Sequence, residues 1–383
     1  MNRTEPLADL AGRVKAFIRC TADGVALCED EFTALALLLF QAQFEQVEPY
    51  RRFCLQRGVG PEATTRWQSV PAVPAEGFKE FELTALAPEE RVRVFHSSAT
   101  STHRPSRHFH GPGSLELYEV SLGAWFERHL LPDAAGETGM RFLALTPDST
   151  AAPHSSLVHM FEAVIPKSAA GPDRRCFAAR VNPDGGWRLE AKQALGFLRN
   201  AVDAGDPVCL LGPAFSHVHL LEALEAGGDA LRLPMGSRLM ETGGYKGRSR
   251  EVSRRELHAW ITRRLGIAPE WIVGEYGMSE LGSQAYNHVA GQALRDGPPV
   301  FRFPPWGRAR VISPDTGDEV APGATGLVQV FDLANVWSVM AVETGDLARR
   351  FDDGFELLGR APATGPRGCS LMPSDLVGKG EGP

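Results

Sequence analysis

The 383 residues contain no C-x-x-C pair, and the six cysteines, Cys20, Cys28, Cys54, Cys176, Cys209 and Cys369, show none of the short spacings of zinc ligands or secreted disulfide scaffolds. Their scatter excludes a disulfide framework and suits a reducing cytoplasm. A basic block is also missing. Lys and Arg number 40 against 47 Asp and Glu, a formal net charge of −7, so nothing is present to track a phosphate backbone, and nucleic acid is not expected as a partner. The N-terminal MNRTEPLADL has no apolar core of the signal-peptide kind. The richest apolar run, FTALALLLFQAQF, is too short and polar-flanked to span a bilayer. No internal repeat or low-complexity tract interrupts the chain. A soluble cytoplasmic protein is expected.

A chain of this length buries about three quarters of its unfolded surface and should divide into two or three packed subdomains. Residues 1–90 read as a mostly helical region packed on the main body: Asp30 can cap a helix whose stripe is Phe32, Leu35, Leu39 and Phe40. Residues 91–300 read as an α/β core. There, short β-like runs (RVRVF, RFLALTP, PVCLLGP, WIVGEYG) alternate with helical spacing, as in a mixed or parallel sheet with helices on its faces. The clearest helix is SRRELHAWITRRLG, with an S-x-x-E capping box at Ser253 and Glu256, a buried stripe of Leu257, Trp260, Ile261 and Leu265, and Gly266 as its stop. Residues 301–360 carry the strand signals of a small antiparallel unit, and 361–383 form a short tail.

In open α/β sheets ligands bind beyond the carboxyl ends of strands, which directs attention to the loops after RVRVF and WIVGE. The first, HSSATSTHRPSR, offers the hydroxyls of Ser97, Ser98, Thr100, Ser101 and Thr102 to phosphate oxygens; the competing reading is an ordinary Ser/Thr-rich surface loop. The second is YGMSE. Tyr276 can stack on a planar base, Gly277 admits a close backbone approach, Ser279 can reach a phosphate, and Glu280 can hold Mg²⁺ through oxygen; the alternative is a plain turn with a solvated acid. In ETGDLARR, Asp346 can accept from ribose hydroxyls or simply occupy a β turn. His217 and His219, two apart in GPAFSHVHLLEAL, have no third residue at zinc-ligand spacing. PHSSLVHMFEA can supply an apolar wall through Leu157, Val158, Met160 and Phe161, while His154 and His159 read equally well as core histidines.

The order of these pieces resembles the adenylate-forming superfamily, and most closely the acyl-protein synthetases of bacterial bioluminescence and their phenylacetate-CoA-ligase-like relatives. The resemblance runs over roughly 70–371, through VPAVPAEGFKEF, FHSSATST, TGGYKG, YGMSELGSQAY, ETGDLA, the GR at Gly359 and Arg360, and RGCSL. It implies ATP and Mg²⁺ as cofactors and a carboxylic acid, fatty or aryl, as substrate. By position, Ser97, Ser98, Thr100 and Ser101 would cradle the phosphates and Gly243 and Gly244 would line the adenine. Tyr276 would stack on the base, Ser279 would lie near the α-phosphate, and Glu280 would hold the metal. Asp346 would bind the ribose and Arg360 would mark the hinge. Phe215, His217 and Met278 would line the acid pocket.

Two positions depart from the pattern: Ala99 and Thr102 stand where the family usually has glycine. Only 23 residues follow Arg360, too few for the family's mobile C-terminal domain with its catalytic lysine; Lys379 in that tail is not assigned the role, and Lys246 in GGYKG is another candidate cation. In the acyl-protein synthetases a cysteine near the C-terminus takes the acyl group and passes it to a partner reductase, and Cys369 occupies that place. Arg367 two residues away can lower its pKa, while Gly365, Pro366 and Gly368 leave the segment free to swing. The other five cysteines read as packing residues. The expected function is ATP-dependent acyl activation followed by transfer to Cys369 and an acyl-accepting partner protein or carrier. Direct ligation to CoA, a carrier protein or an amine, and a non-catalytic nucleotide- or acyl-binding subunit, are the alternatives.

Overall fold

The computed structural model describes residues 5–23, 29–97, 104–133, 139–165, 169, 171, 173–228, 230–244, 250 and 252–361. Ser98, Ala99, Thr100, Ser101 and Thr102 of the Ser/Thr loop, Lys246, and Arg367, Cys369 and Lys379 of the tail lie outside the described residues, as does Cys28. The chain forms two compact units that interleave in sequence. The first comprises Met1–Ala124, Gly277–Ala285 and Pro298–Pro383, the second Trp125–Tyr276 and Tyr286–Gly297.

The first unit begins with the helices Glu5–Thr21, Glu29–Gln46 and Glu48–Gln56. Glu29, Asp30 and Glu31 set three negative charges in the first turn of the second helix, where the helix dipole favours them. The face carrying Phe32, Leu35, Ala36, Leu39 and Phe40 is buried. The main sheet of this unit is built from Gly307–Ile312, Thr325–Asp332 and Ala341–Phe351, paired antiparallel with Val330 opposite Val342 and Leu327 opposite Leu347. Val73–Pro74 (parallel) and Gly354–Arg360 (antiparallel) share the free edge of Ala341–Phe351. RVRVF does not join a parallel sheet: Arg93–His96 pairs antiparallel with Arg107–His110 as a two-stranded ribbon, so the Ser/Thr loop connects the arms of a hairpin. A hairpin needs only a short local connection, and the SRHFH stretch offers the partner strand ten residues on.

The second unit holds a parallel sheet in the order Ile272–Tyr276, Arg238–Thr242, Val208–Pro213, Arg141–Ala144 and Arg175–Phe177. All six residues of Val208–Pro213 are buried, as expected of a strand covered on both faces. The helices Ala191–Ala204, Ala214–Ala226 and Arg254–Leu265 supply Leu198, Leu220, Leu221, Leu257 and Ile261 to the core against Leu210 and Leu239. The last of these helices starts as its sequence predicts. Ser253 Oγ accepts from the Glu256 amide at 3.2 Å, and Glu256 Oε2 accepts from the Ser253 amide at 2.9 Å. It ends at Gly266, whose φ of 74° is left-handed. Six residues later the chain enters the Ile272–Tyr276 strand, carrying the central motif to a carboxyl end of the sheet.

Cys54, Cys176 and Cys209 are buried, and burial pushes their thiols up to about 12, 11 and 12, in keeping with packing roles. Cys20 departs from that expectation: it is exposed, on the solvent side of the first helix. Among the described residues no helix is long and apolar enough to cross a membrane.

Candidate active site

The motif YGMSE is divided between the units: Tyr276 closes the last strand of the second, and Gly277–Ala285 belongs to the first. In the first unit Ser279 and Glu280 are both buried, and Ser279 Oγ donates to Glu280 Oε2 at 3.0 Å. Ser106 Oγ lies 3.4 Å from Ser279 Oγ. Because Ser279 gives its proton to the carboxylate, it acts as acceptor toward Ser106. Ser106 in turn closes the base of the Ser/Thr loop: its amide donates to Ser97 Oγ at 3.0 Å, and its Oγ accepts from the Ser97 amide at 3.2 Å. A hydroxyl chain thus joins Ser97 to Ser279 and Glu280.

The backbone of this segment is gripped by side chains that the motifs did not single out. His108 Nδ1 contacts the Ser279 carbonyl at 2.8 Å, and burial lowers its pKa to about 4, so the ring is neutral at pH 7 and Nδ1 carries the donated proton. Asn335 Nδ2 donates to the Glu280 carbonyl at 2.9 Å. Asp332 accepts from the Gly282 amide at 2.8 Å and from Ser283 Oγ at 2.7 Å. Gly282 sits so close to Ala334 that an added Cβ would stand 2.9 Å from the alanine methyl, which only glycine avoids.

The other residues expected in the first unit are placed as follows. Asp346 is buried opposite Arg360 in the strand register, with Oδ1 at 3.1 Å from Arg360 Nε and its amide donating to Thr344 Oγ1 at 3.2 Å. Arg360 itself is exposed. Gly277 and Met278 are half-buried. In the second unit Tyr276 is buried, whereas Gly243 and Gly244 stand exposed just past the Arg238–Thr242 strand. Phe215 and His217 lie buried in the first turn of the Ala214–Ala226 helix. His217 Nε2 faces the Gly212 and Met240 carbonyls at 3.1 and 3.2 Å, tying two strands together; burial holds its pKa down to about 4. His219 packs edge-on to Phe215, with ring centroids 6.3 Å apart. Of the apolar wall, Val158, Met160 and Phe161 are buried and Leu157 partly so, while His154 is exposed and His159 half-buried.

The strand ends of the second unit also bury acids that sequence reasoning passed over. Glu241, buried, has its carboxylate 2.7 Å from Arg254 Nε and 3.5 Å from His258 Nε2. Burial works to raise its pKa, yet these neighbours hold it down to about 2. Glu275 has no such cation among the described residues: burial, with Glu241 nearby, pushes it up to about 7 against a hydrogen bond from Thr242. An acid closing an apolar strand (RLMET, IVGEY) is the signal that would have found both.

No cluster of three or more His, Cys, Asp or Glu able to hold a metal occurs among the described residues. Glu280 offers carboxylate oxygen alone, oriented by Ser279. That donor set fits a hard cation such as Mg²⁺, which keeps waters and takes further oxygens from substrate phosphates.

No family model matches the chain. The long-chain-fatty-acid–luciferin-component ligase of Vibrio harveyi is 22% identical over 365 residues, 90% of this chain and 87% of its own. Among solved structures, a 2-hydroxyisobutyryl-CoA ligase in an open conformation with 2-HIB-AMP and CoA superposes with a TM-score of 0.59 at 14% identity, over 86% of this chain and 75% of its own. ATP-bound MatB from Rhodopseudomonas palustris gives a TM-score of 0.46 at 16% identity over 72% of this chain; the chain spans about half of that protein's length, 49%. The resemblance read from the motifs is borne out, and so is the α/β fold of the adenylate-forming enzymes. Ligases stand on both sides of the comparison, in agreement with the enzyme class expected.

Proposed function

We propose that the chain activates a carboxylic acid with ATP as an acyl-adenylate and passes the acyl group to a thiol, its own Cys369, for delivery to a partner protein. The observation that carries this reading is the buried Ser279–Glu280 pair, joined through Ser106 to Ser97 at the base of the hydroxyl-rich loop. A buried carboxylate that takes one serine hydroxyl as donor and is linked through Ser106 to Ser97 suits a phosphate chain and its cation better than it suits a structural turn, because a buried charge is costly unless it is paired. The name of the Vibrio harveyi relative makes a long-chain fatty acid the first substrate to try.

In this scheme a carboxylate oxygen of the acid attacks the α-phosphorus and pyrophosphate leaves. Ser279 and the loop from Ser97 to Ser101 hold phosphate oxygens, Tyr276 stacks on the adenine above the backbone of Gly243 and Gly244, and Asp346 accepts from the ribose hydroxyls. Glu280 would hold Mg²⁺, which when bound neutralises the charge gathering on the leaving pyrophosphate. The Cys369 thiolate then attacks the acyl carbonyl carbon, AMP leaves, and a thioester remains. Phe215, His217 and Met278 are assigned to the acid's surroundings. A reducing cytoplasm would keep that thiol available.

The test is intact mass after incubation with MgATP and a pool of fatty and aryl acids. One added acyl group, removed by hydroxylamine and absent in Cys369→Ser, is the expected result. Pyrophosphate release with no adduct would transfer the reading to a ligase with a diffusible acceptor, and silence on both measures across the pool would remove it.

A further inference from the structure

We propose that Asp332 is a positioning residue for adenylation: its carboxylate fixes the Gly282 amide and the Ser283 hydroxyl and so sets where Ser279 and Glu280 point. The inference rests on the function proposed above and extends it to a residue outside every motif used there. Asp332 ends the Thr325–Asp332 strand and is fully buried. Its two oxygens are divided, Oδ2 taking the Gly282 amide at 2.8 Å while Oδ1 takes Ser283 Oγ at 2.7 Å and the Ala334 amide at 3.0 Å. Every one of these partners is a donor, so the carboxyl serves as acceptor throughout.

The donors form a chain with one possible direction. Trp306, buried, donates through Nε1 to Ser121 Oγ at 2.8 Å, and Ser121 Oγ lies 2.9 Å from Ser283 Oγ. An indole N–H only donates, and Ser283 spends its own proton on Asp332, so Ser121 donates to Ser283. Trp306, Ser121 and Ser283 therefore all point their protons toward Asp332.

Three residues further on, Asn335 holds the Glu280 carbonyl, and its own carbonyl accepts from Gln43 Nε2 at 2.7 Å; Gln43 Oε1 accepts from the Met340 amide at 3.0 Å. The 332–340 segment is thus clamped by a buried helix side chain on one side and grips residues 280, 282 and 283 on the other. The contact of Gly282 with Ala334 leaves no room for the loop to settle closer. Asn335 and Asp332 thus hold the two peptides that follow Glu280, at the Glu280 carbonyl and the Gly282 amide, and a displacement near 1 Å at such a site is the scale that costs about a hundredfold in rate.

Asp332→Asn keeps shape and one acceptor but turns an NH₂ toward the Gly282 amide or the Ser283 hydroxyl. Ser283→Ala removes one link of the chain and serves where Asp332→Asn does not fold. Both are compared with the wild-type full chain by acid-dependent ATP–pyrophosphate exchange, by thermal unfolding, and by hydrogen exchange of the 277–285 peptide without nucleotide or metal. The expected result is faster exchange confined to that peptide and kcat lower by ten- to a hundredfold for Asp332→Asn, with KM for ATP changed less than threefold. Ser283→Ala should show the same pattern at a smaller size. Unchanged peptide exchange in the folded variants overturns the proposal, as does a loosened peptide with undiminished kcat. A wild type that shows no pyrophosphate exchange with any acid fells the proposed function itself, and the positioning role with it, and is recognisable because the failure precedes any substitution.

Discussion

Asp332 in the first unit and Glu241 in the second are acids with 0% and 3% exposure, yet burial leaves them at opposite ends of the carboxylate range, about 6 and about 2. Desolvation disfavours the ionised form of both. Around Asp332 the compensation comes from neutral donors, two backbone amides and a serine, which only partly offset it. Around Glu241 it comes from the cation of Arg254, helped by His258. Neutral donors fix position at the expense of an upward pKa, whereas a paired cation fixes the charge and makes the partner indispensable. The first arrangement suits a loop that must present Ser279 and Glu280 in one orientation. The second suits the strand ends of a sheet, where Glu241 stands opposite Gly274 and Glu275 opposite Thr242 on neighbouring strands and, among the described residues, Glu241 is the one of the two with an ion pair.

Removing the Arg254 cation has the largest expected effect. Arg254→Leu removes the guanidinium and leaves buried Glu241 facing His258 at 3.5 Å, and loss of one partner of a buried pair costs about 3–5 kcal/mol. Thermal and urea unfolding should show the second unit failing well before the first. A drop below about 1 kcal/mol would mean that Glu241 finds other partners and that the two acids are managed alike.

A smaller effect comes from pH. In the first unit His108 is lowered to about 4 and Asp332 raised to about 6. As pH falls from 6.5 to 4 the unfolded histidine takes up a proton that the folded one refuses, while folded Asp332 takes up one that the unfolded acid refuses. The two cancel. In the second unit His217 and His288 are lowered to about 4 and Glu275 is raised to about 7, so two refusals stand against one uptake and stability is lost as pH falls through that window. Glu241, held down to about 2, adds a further loss below its usual range. A net difference of one proton corresponds to roughly 1.4 kcal/mol per pH unit. Hydrogen exchange read separately over the two units between pH 7 and 4 should show the second loosening while the first stays level; equal loosening would place the acid sensitivity elsewhere.

Part of this was legible in the residues. The Ser253–Glu256 box, Gly266, the alternation that builds the parallel sheet, and the strand that delivers Tyr276 are all local patterns, and local patterns survive translation into structure because their partners lie within a few residues. Ser279 beside Glu280 is local in the same sense. Asp332, Asn335 and Gln43 are not. Asp332 meets Gly282 across 50 residues and Gln43 meets Asn335 across 292, and no periodicity reports such a pairing. Within FDLANVW two polar residues, Asp332 and Asn335, inside an apolar run were the available sign. His108 was hidden for a related reason, since its strand pairs as a hairpin that the helix–strand alternation did not suggest.

The smallest effect concerns Arg360, and it tests whether any cation beside a buried acid matters as Arg254 does. Arg360 Nε stands 3.1 Å from Asp346 Oδ1, but its side chain is 67% exposed, so water screens the pair and competes for both partners. Exposed pairs contribute about 0.2–1 kcal/mol. Arg360→Ala should therefore shift thermal unfolding by no more than a few degrees, while Asp346 keeps its backbone bond to Thr344 and its place in the strand. A loss approaching that of Arg254→Leu would show that the Asp346 carboxylate, buried like Glu241, depends on its cation to the same degree, and exposure of the partner would no longer separate the two cases.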